Sequence, residues 1–416
     1  MKYADPARLA SLIDRLATIS EDGQGVTRLA YTPLERQAHR VFAEHMSALG
    51  LDVRTDAAGN TIAERPGTDD LPALGTGSHL DSVPRGGRFD GIAGVVAAME
   101  VATVLADPRS GLRHRRPLRF VAFAAEEGAR FGLACLGSRL AAGLHTPHDL
   151  EQLRDADGVS VAEAMRGVGL DPARVGEARW DPRDWAAFVE LHVEQGDVLE
   201  RAGLPIGVVD TVSGSTRLRL DLTGRPSHTG ATPMAGRSDA LVAAAQVVLA
   251  ADAVAGDARH RGTRATVGEL RVSPGSVTTI PGQVSLSLDV RDVDSDRQRR
   301  TAAEIVRHAQ AAGDDRGVRL DYRLIGDSSP VVLPLWIRDV LAGAAAAHGA
   351  EYRVMTSGAS HDAQIVNKII PAGMLFVPSR SGVSHVPEEW TSPEELATGV
   401  DILLSALLRL SDEGTS

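Results

Sequence analysis

The sequence predicts an α/β protein: a large, mostly parallel sheet covered by helices, with a smaller α+β domain inserted into it. Three observations lead there. Continuous apolar runs alternate with helical patterns, as strands buried on both faces do. Between residues 213 and 327 the runs change to strict alternation, the pattern of a sheet with one covered face. Four clusters of His and acid stand at the carboxyl ends of four continuous runs, where open parallel sheets bind ligands.

The chain of 416 residues is long enough for two domains. A hydrophobic share of 43% with 24% charged residues is a globular composition, which excludes a disordered chain. A net charge of −11 argues against nucleic acid or a membrane surface as a general partner. The single cysteine, Cys135, rules out an intrachain disulfide and a cysteine zinc site, and is compatible with a reducing cytoplasm. The opening MKYADPARLASLIDRL reads as an amphipathic helix with Leu9, Leu12, Ile13 and Leu16 on one face, without the apolar core of a signal peptide. No run is long enough to span a membrane, so a cytoplasmic location is expected.

In order, a helix is expected over 5–20. A second, over 32–49, is capped by Thr32 with Pro33 at its first position and Glu35 three residues after the cap, and is closed by Gly50. Residues 52–63 form two short strands about the turn at 56–60. The stretch TGSHLDSVPRGGRFDGIAG (76–94) follows an apolar approach and leads into a helix over 92–106. Leu118 to Ala125 is a buried strand ending in Glu126 and Glu127. Trp185 to Leu191 runs into LHVEQG, with His192 and Gln195, and GMLFVPS (373–379) runs into SGVSHVPEEW, with His385. Residues 149–184 show no clear periodicity.

Within 213–327 the order is strand 215–224, helix 237–255, strands 263–273 and 283–292, helix 296–312 and strand 318–325. This β-α-β-β-α-β order is the split βαβ, or ferredoxin-like, arrangement. The expected organisation is thus a discontinuous large domain, 1–212 and 328–416, resuming with a helix at 333–348, and an inserted domain over 213–327.

The polar groups at the strand ends are His79, Asp81, Asp90, Glu126, Glu127, His192 and His385. So many acids in one crevice repel unless a cation is present. Two divalent metals answer this, with Asp90, in a glycine-flanked turn, as the bridge. One metal would take His79 and His192, the other Glu127 and His385. Ligands of this type accept several first-row ions, among them Zn, Mn, Co and Ni. Asp81, two residues from His79, would orient its imidazole. Glu126 is then free to act as general base.

GSHLDSV, GGRFDGIAG, AAEEGARF, LHVEQG, SHTGATPM and SGVSHVPEEW together resemble the two-metal amidohydrolases of the M20 peptidase clan. Within it the chain is similar to the branch of N-carbamoyl-L-amino-acid hydrolases and allantoate amidohydrolases, from about residue 5 to 410. The resemblance implies the same ligands, Glu126 as base, and a homodimer formed through the inserted, lid-like dimerisation domain. It assigns His228 to the oxyanion in the partner's site, Arg291 to the substrate carboxylate and Gln195 to the ureido group. Thr278 stands where the family usually has Asn, Ser215 where it often has Gln, and Ser360 where Gly is common. The first two are candidate substrate contacts, and their departure leaves the substrate open. The expected reaction is hydrolysis of the carbamoyl C–N bond of an N-carbamoyl-L-amino acid to amino acid, CO2 and ammonia. Allantoate or ureidoglycolate hydrolysis is the alternative, then an aminoacylase or dipeptidase. A binding protein that merely holds a small acid would have no use for Glu126.

Overall fold

The computed structural model describes residues 2–412. The chain forms two compact units, Met1–Asp210 with Val332–Ser416, and Thr211–Val331. In chain order the strands are β1 (Asp52–Thr55), β2 (Thr61–Arg65), β3 (Ala73–His79), β4 (Leu118–Phe123), β5 (Trp185–Val193), β6 (Ile206–Val212), β7 (Gly214–Thr223), β8 (Arg264–Thr266), β9 (Leu270–Ser273), β10 (Gln283–Asp292), β11 (Arg319–Ser328), β12 (Val331–Val332), β13 (Tyr352–Ser357) and β14 (Ala372–Val377).

The larger sheet runs β1-β2-β4-β3-β5-β14-β6-β12, with β13 paired to β6. Its centre, β4-β3-β5-β14, is parallel. The pairs β1–β2, β2–β4 and β14–β6 are antiparallel, so the sheet is mixed, and the strands that carry the polar clusters lie in its parallel centre. Strands β3, β5 and β14 are buried at every residue, which their unbroken apolar runs anticipate. The parallel register sets His79 beside Phe123 and His192 beside Phe376, so the carboxyl ends of the four strands open at one edge.

Helix Ile92–Ala106 packs on β3, β4 and β5 and is buried on nearly all sides, as its apolar composition requires. Its one acid, Glu100, accepts from Asp5 N at 2.8 Å and pairs with Arg8, so the buried charge is not left alone. Helices Pro6–Ala17 and Pro393–Asp412 complete this layer. The first is capped by Asp5; Pro33–Ala48 is capped by Thr32, whose hydroxyl accepts from Glu35 N at 3.3 Å. The region without sequence periodicity holds short helices at Pro147–Gln152 and Val161–Gly167, each with a capping box, packed by Leu150, Val161 and Met165 around Phe131 and Leu140. These helices are too short for an apolar period to show.

In the smaller unit the sheet runs β11-β7-β10-β8, with β9 also on β10, and every pair is antiparallel. Leu218, Leu220 and Leu222 of β7 and Val284, Leu286, Leu288 and Val290 of β10 face helices Ala240–Gly256 and Ser295–Asp314 in one apolar core. The single strand expected over 263–273 is broken into β8 and β9. Register shifts by one residue between Ala265↔Val290 and Leu270↔Leu286, so 267–269 form a bulge, with Glu269 N donating to Ser287 Oγ at 3.1 Å.

Candidate metal centre

The site is built on Asp90. His79, at the last position of β3, and His192, near the end of β5, approach one of its oxygens: His192 Nε2 lies 3.2 Å and His79 Nε2 3.6 Å from Asp90 Oδ1. His385 approaches the other, with Nε2 3.1 Å from Asp90 Oδ2 and 3.6 Å from Glu127 Oε1. One carboxylate thus divides its two oxygens between two sets of donors, His79–Asp90–His192 and Asp90–Glu127–His385.

The orientation of the imidazoles suits a cation. His79 Nδ1 is bonded to the Asp81 carbonyl at 3.1 Å and His192 Nδ1 to the Val193 carbonyl at 2.9 Å. A carbonyl can only accept, so each Nδ1 carries the ring proton and each Nε2 turns a lone pair toward Asp90. Gly91 N also donates to His192 Nε2, at 3.2 Å, which requires that lone pair. Electrostatics agree. Burial, with Asp90 and Glu126 close by, pushes the Glu127 carboxyl well above its ordinary range. Asp90, although buried, is held well below its own by the imidazoles of His192, His385 and His79 around it. The bond to Asp90 lifts His385 to about 9. Clustered acids strained in this way are what divalent cations relieve, and the donor set of imidazoles and carboxylates fits such ions.

Backbone conformation aims these groups. Ala125, Cys135, Gln195 and His385 all have positive φ, between 55° and 62°, which for non-glycine residues costs of order 1–3 kcal/mol each. Asp81 is held more tightly than its spacing suggested. Its Oδ1 accepts from Glu126 N and its Oδ2 from Glu127 N, both at 2.9 Å, while Oδ1 lies 3.5 Å from His79 Nδ1. One carboxylate therefore fixes the backbone of both acids as well as facing the imidazole. Glu126 is buried; its Oε2 lies 3.9 Å from His79 Nε2, and its Oε1 accepts from the Cys135 thiol at 2.9 Å. Gln195 Nε2 donates to Asp90 Oδ2 at 2.7 Å, leaving its buried Oε1 without a partner among the described residues.

Sequence reasoning passed over several residues here. Glu389 accepts from Phe89 N at 2.9 Å and Asp90 N at 3.0 Å through Oε2, and from Ser384 Oγ at 2.7 Å through Oε1, so it holds the Asp90 turn against the His385 loop. A Cβ at Gly87 would lie 2.1 Å from that carboxylate, which explains the glycine at that position. The second acid of HVPEEW was the available signal. Glu190 is wholly buried in β5 and accepts from Ser78 Oγ at 2.7 Å and Ala363 N at 2.8 Å. His361 packs edge-on against His192 at 4.6 Å. Nothing in the spacing of SGASHDAQ pointed to that contact.

The remaining candidates lie in the smaller unit. Ser215 stands directly opposite Arg291 in the β7–β10 register. Arg291 Nε donates to Asp289 Oδ2 at 3.0 Å. His228 is exposed, in a loop bridged to Thr279, and Thr278 in that neighbouring loop accepts from Thr229 N at 3.1 Å through its carbonyl. His228 Nδ1 accepts from Gly230 N and Ala231 N, both at 3.1 Å, so the ring's proton sits on Nε2, which is left as a donor.

A mixed α/β sheet with imidazoles and carboxylates converging at its strand ends defines a metal-dependent hydrolase. The chain belongs to the Peptidase family M20/M25/M40, whose model matches residues 75–409. It is 41% identical over 411 residues to the N-carbamoyl-L-amino-acid amidohydrolase of Paenarthrobacter aurescens, covering 99% of each chain. It is 36% identical to the ureidoglycolate hydrolase of Oryza sativa subsp. japonica, over 98% of this chain and 85% of that one. Among solved structures it resembles an amidase of the hydantoinase/carbamoylase family from Burkholderia vietnamiensis, with TM-score 0.91 and 33% identity over 99% of this chain and 98% of that one. Among the described residues no helix is long and apolar enough to cross a membrane.

Proposed function

We propose that the chain is a two-metal amidohydrolase that cleaves the carbamoyl C–N bond of an N-carbamoyl-L-amino acid. The observation that carries this is the division of the Asp90 carboxylate, Oδ1 toward His79 and His192 and Oδ2 toward His385. His79 and His192 would hold one ion, Glu127 and His385 the other, with Asp90 between them. Such ions supply Lewis acidity toward the carbonyl and toward water. The chain's own residues do the rest. Glu126 takes a proton from the attacking water at Oε2, since Oε1 is occupied by the Cys135 thiol. It returns that proton to the leaving nitrogen as the C–N bond breaks. The products are the amino acid and carbamate, which decomposes to CO2 and ammonia.

Arg291 is assigned to the substrate carboxylate, a charge-assisted and potentially bidentate contact, with Ser215 across the ladder and Thr278 as further contacts. The unpartnered Gln195 Oε1 suits an N–H of the ureido group. His228, through Nε2–H, is assigned to the oxyanion in the site of a partner subunit. The homodimer this needs is supported by helix Ala240–Gly256, which leaves Val242, Val248 and Leu249 exposed, Leu249 by 69%. Substrate choice among N-carbamoyl-L-amino acids, allantoate and ureidoglycolate rests on the higher identity to the carbamoyl-amino-acid relative.

The test is ammonia release from N-carbamoyl-L- and D-amino acids, allantoate and ureidoglycolate, after loading with Zn, Mn, Co or Ni in turn. The proposal expects the L-carbamoyl compounds to have the highest kcat/KM. Faster turnover of allantoate or ureidoglycolate would move the assignment to that substrate.

A further inference from the structure

Glu126 is held at two points, its backbone amide by Asp81 and its carboxylate by Cys135. Asp81 holds the backbone at Glu126 and Glu127 and makes no bond to the Glu126 carboxylate. Rotation is limited by Cys135. Residues 135–137 bond to the segment that follows β4: Cys135 N donates to the Glu126 carbonyl at 2.6 Å, Leu136 N to the Ala125 carbonyl at 2.9 Å, and Gly137 N to the Ala124 carbonyl at 3.0 Å. Cys135 takes a left-handed conformation, φ 62° and ψ 37°, where helix Leu136–Ala141 begins. Its side chain makes no capping bond to that helix and reaches instead to Glu126 Oε1, at 2.9 Å.

We propose that Cys135 is a positioning residue for Glu126, its thiol anchoring Oε1 so that Oε2 alone faces the reacting groups. The observations behind this are the two-point grip, by amide and thiol, on a single residue, and the burial of both partners. The thiol sits among Ala142 and Ile365, with no solvent to replace its bond to the carboxylate. Burial, with Glu126 beside it, pushes the thiol pKa well up, so the group is a donor rather than a second anion. A general base needs one oxygen held toward the proton it takes; an unanchored carboxylate spends time in other rotamers. The inference rests on the reading of Glu126 as base, and the experiment separates the two.

Cys135→Ser keeps a donor of similar size, Cys135→Ala removes it, and Cys135→Val fills the space without it. Metal content and melting temperature are measured on each. The proposal expects kcat to fall about 3- to 10-fold in Cys135→Ala and Cys135→Val, the scale of one lost hydrogen bond from a weak donor to a charged acceptor. KM should be unchanged, and Cys135→Ser should stay within about 2-fold of the parent. In a Glu126→Gln background the alanine change should then cost less than about 2-fold, because the group it positions is gone. Parental kcat in Cys135→Ala, an equal loss in all three variants, or the same fold-loss with and without Glu126 would overturn the proposal. Full turnover in Glu126→Gln alone would remove the base assignment itself.

Discussion

Gly91 follows Asp90 and begins helix Ile92–Ala106, and Gly91→Ala is a direct probe of the site's packing. Its backbone has φ 67° and ψ −46°, a conformation that side chains rarely adopt. A Cβ built there would lie 2.4 Å from His79 Nδ1 and Cε1 and 2.5 Å from Nε2. The imidazole has little room to yield: it is buried, bonded to the Asp81 carbonyl, and stacked on His192 at a ring separation of 5.9 Å. The backbone contribution is of order 1–3 kcal/mol. Forcing a methyl into a packed site adds about 1–3 kcal/mol more. The total expected is about 2–6 kcal/mol, with loss of metal, because relief means moving His79, a ligand in the proposed centre. Gly203→Ala is the control. It lies in the same unit with φ 65° and ψ 29°, and a Cβ there meets nothing within 4 Å, so only the backbone cost, about 1–2 kcal/mol, remains. Urea unfolding at matched m-values gives the two stabilities, and elemental analysis gives the metal content. Equal midpoints for the two variants, with full metal in both, would refute the reasoning that Gly91 exists to admit the His79 ring.

Glu126→Gln should retain its metal content and lose about 10²–10⁴-fold in kcat, the usual scale of a general base; a lost metal would make Glu126 a ligand instead. Chelation should abolish ammonia release and lower the melting temperature, since a ligand bound to the native state stabilises it by mass action, and full activity of the stripped protein would exclude the two-metal reading. Arg291→Lys keeps the charge but not the fork, and should raise KM for carboxylate substrates by more than about 10-fold while leaving the melting curve in place. Mixing Glu126→Gln with His228→Ala subunits should restore up to about a quarter of full activity, because half the dimers are hybrids with one intact site each. If tagged co-purification shows exchange and activity stays absent, His228 does not serve the partner's site.

The sequence by itself determined the longer elements and placed the His and acid clusters at the ends of continuous apolar runs. Continuous apolar runs such as Leu118–Phe123 and strict alternation such as Val284–Val290 follow directly from whether a strand is covered on two faces or one. His79 and Asp90, Glu126 and Glu127, His192 and His385 were visible because each follows such a run. Short elements were not: helices of six or seven residues at 147–152 and 161–167 hold too few turns for a period. The bulge at 267–269 arises from register, which alternation does not encode across an interruption. Tertiary structure alone decided which groups meet. That Asp90 turns one oxygen to His79 and His192 and the other to His385, that Asp81 grips two backbone amides, that Glu389 supports the Asp90 turn from 299 residues away and that Cys135 reaches Glu126 are facts of distance. Sequence periodicity reports only which face of an element is buried. Contact between elements depends on crossover connections and side-chain direction, and these exist only once the sheet has assembled.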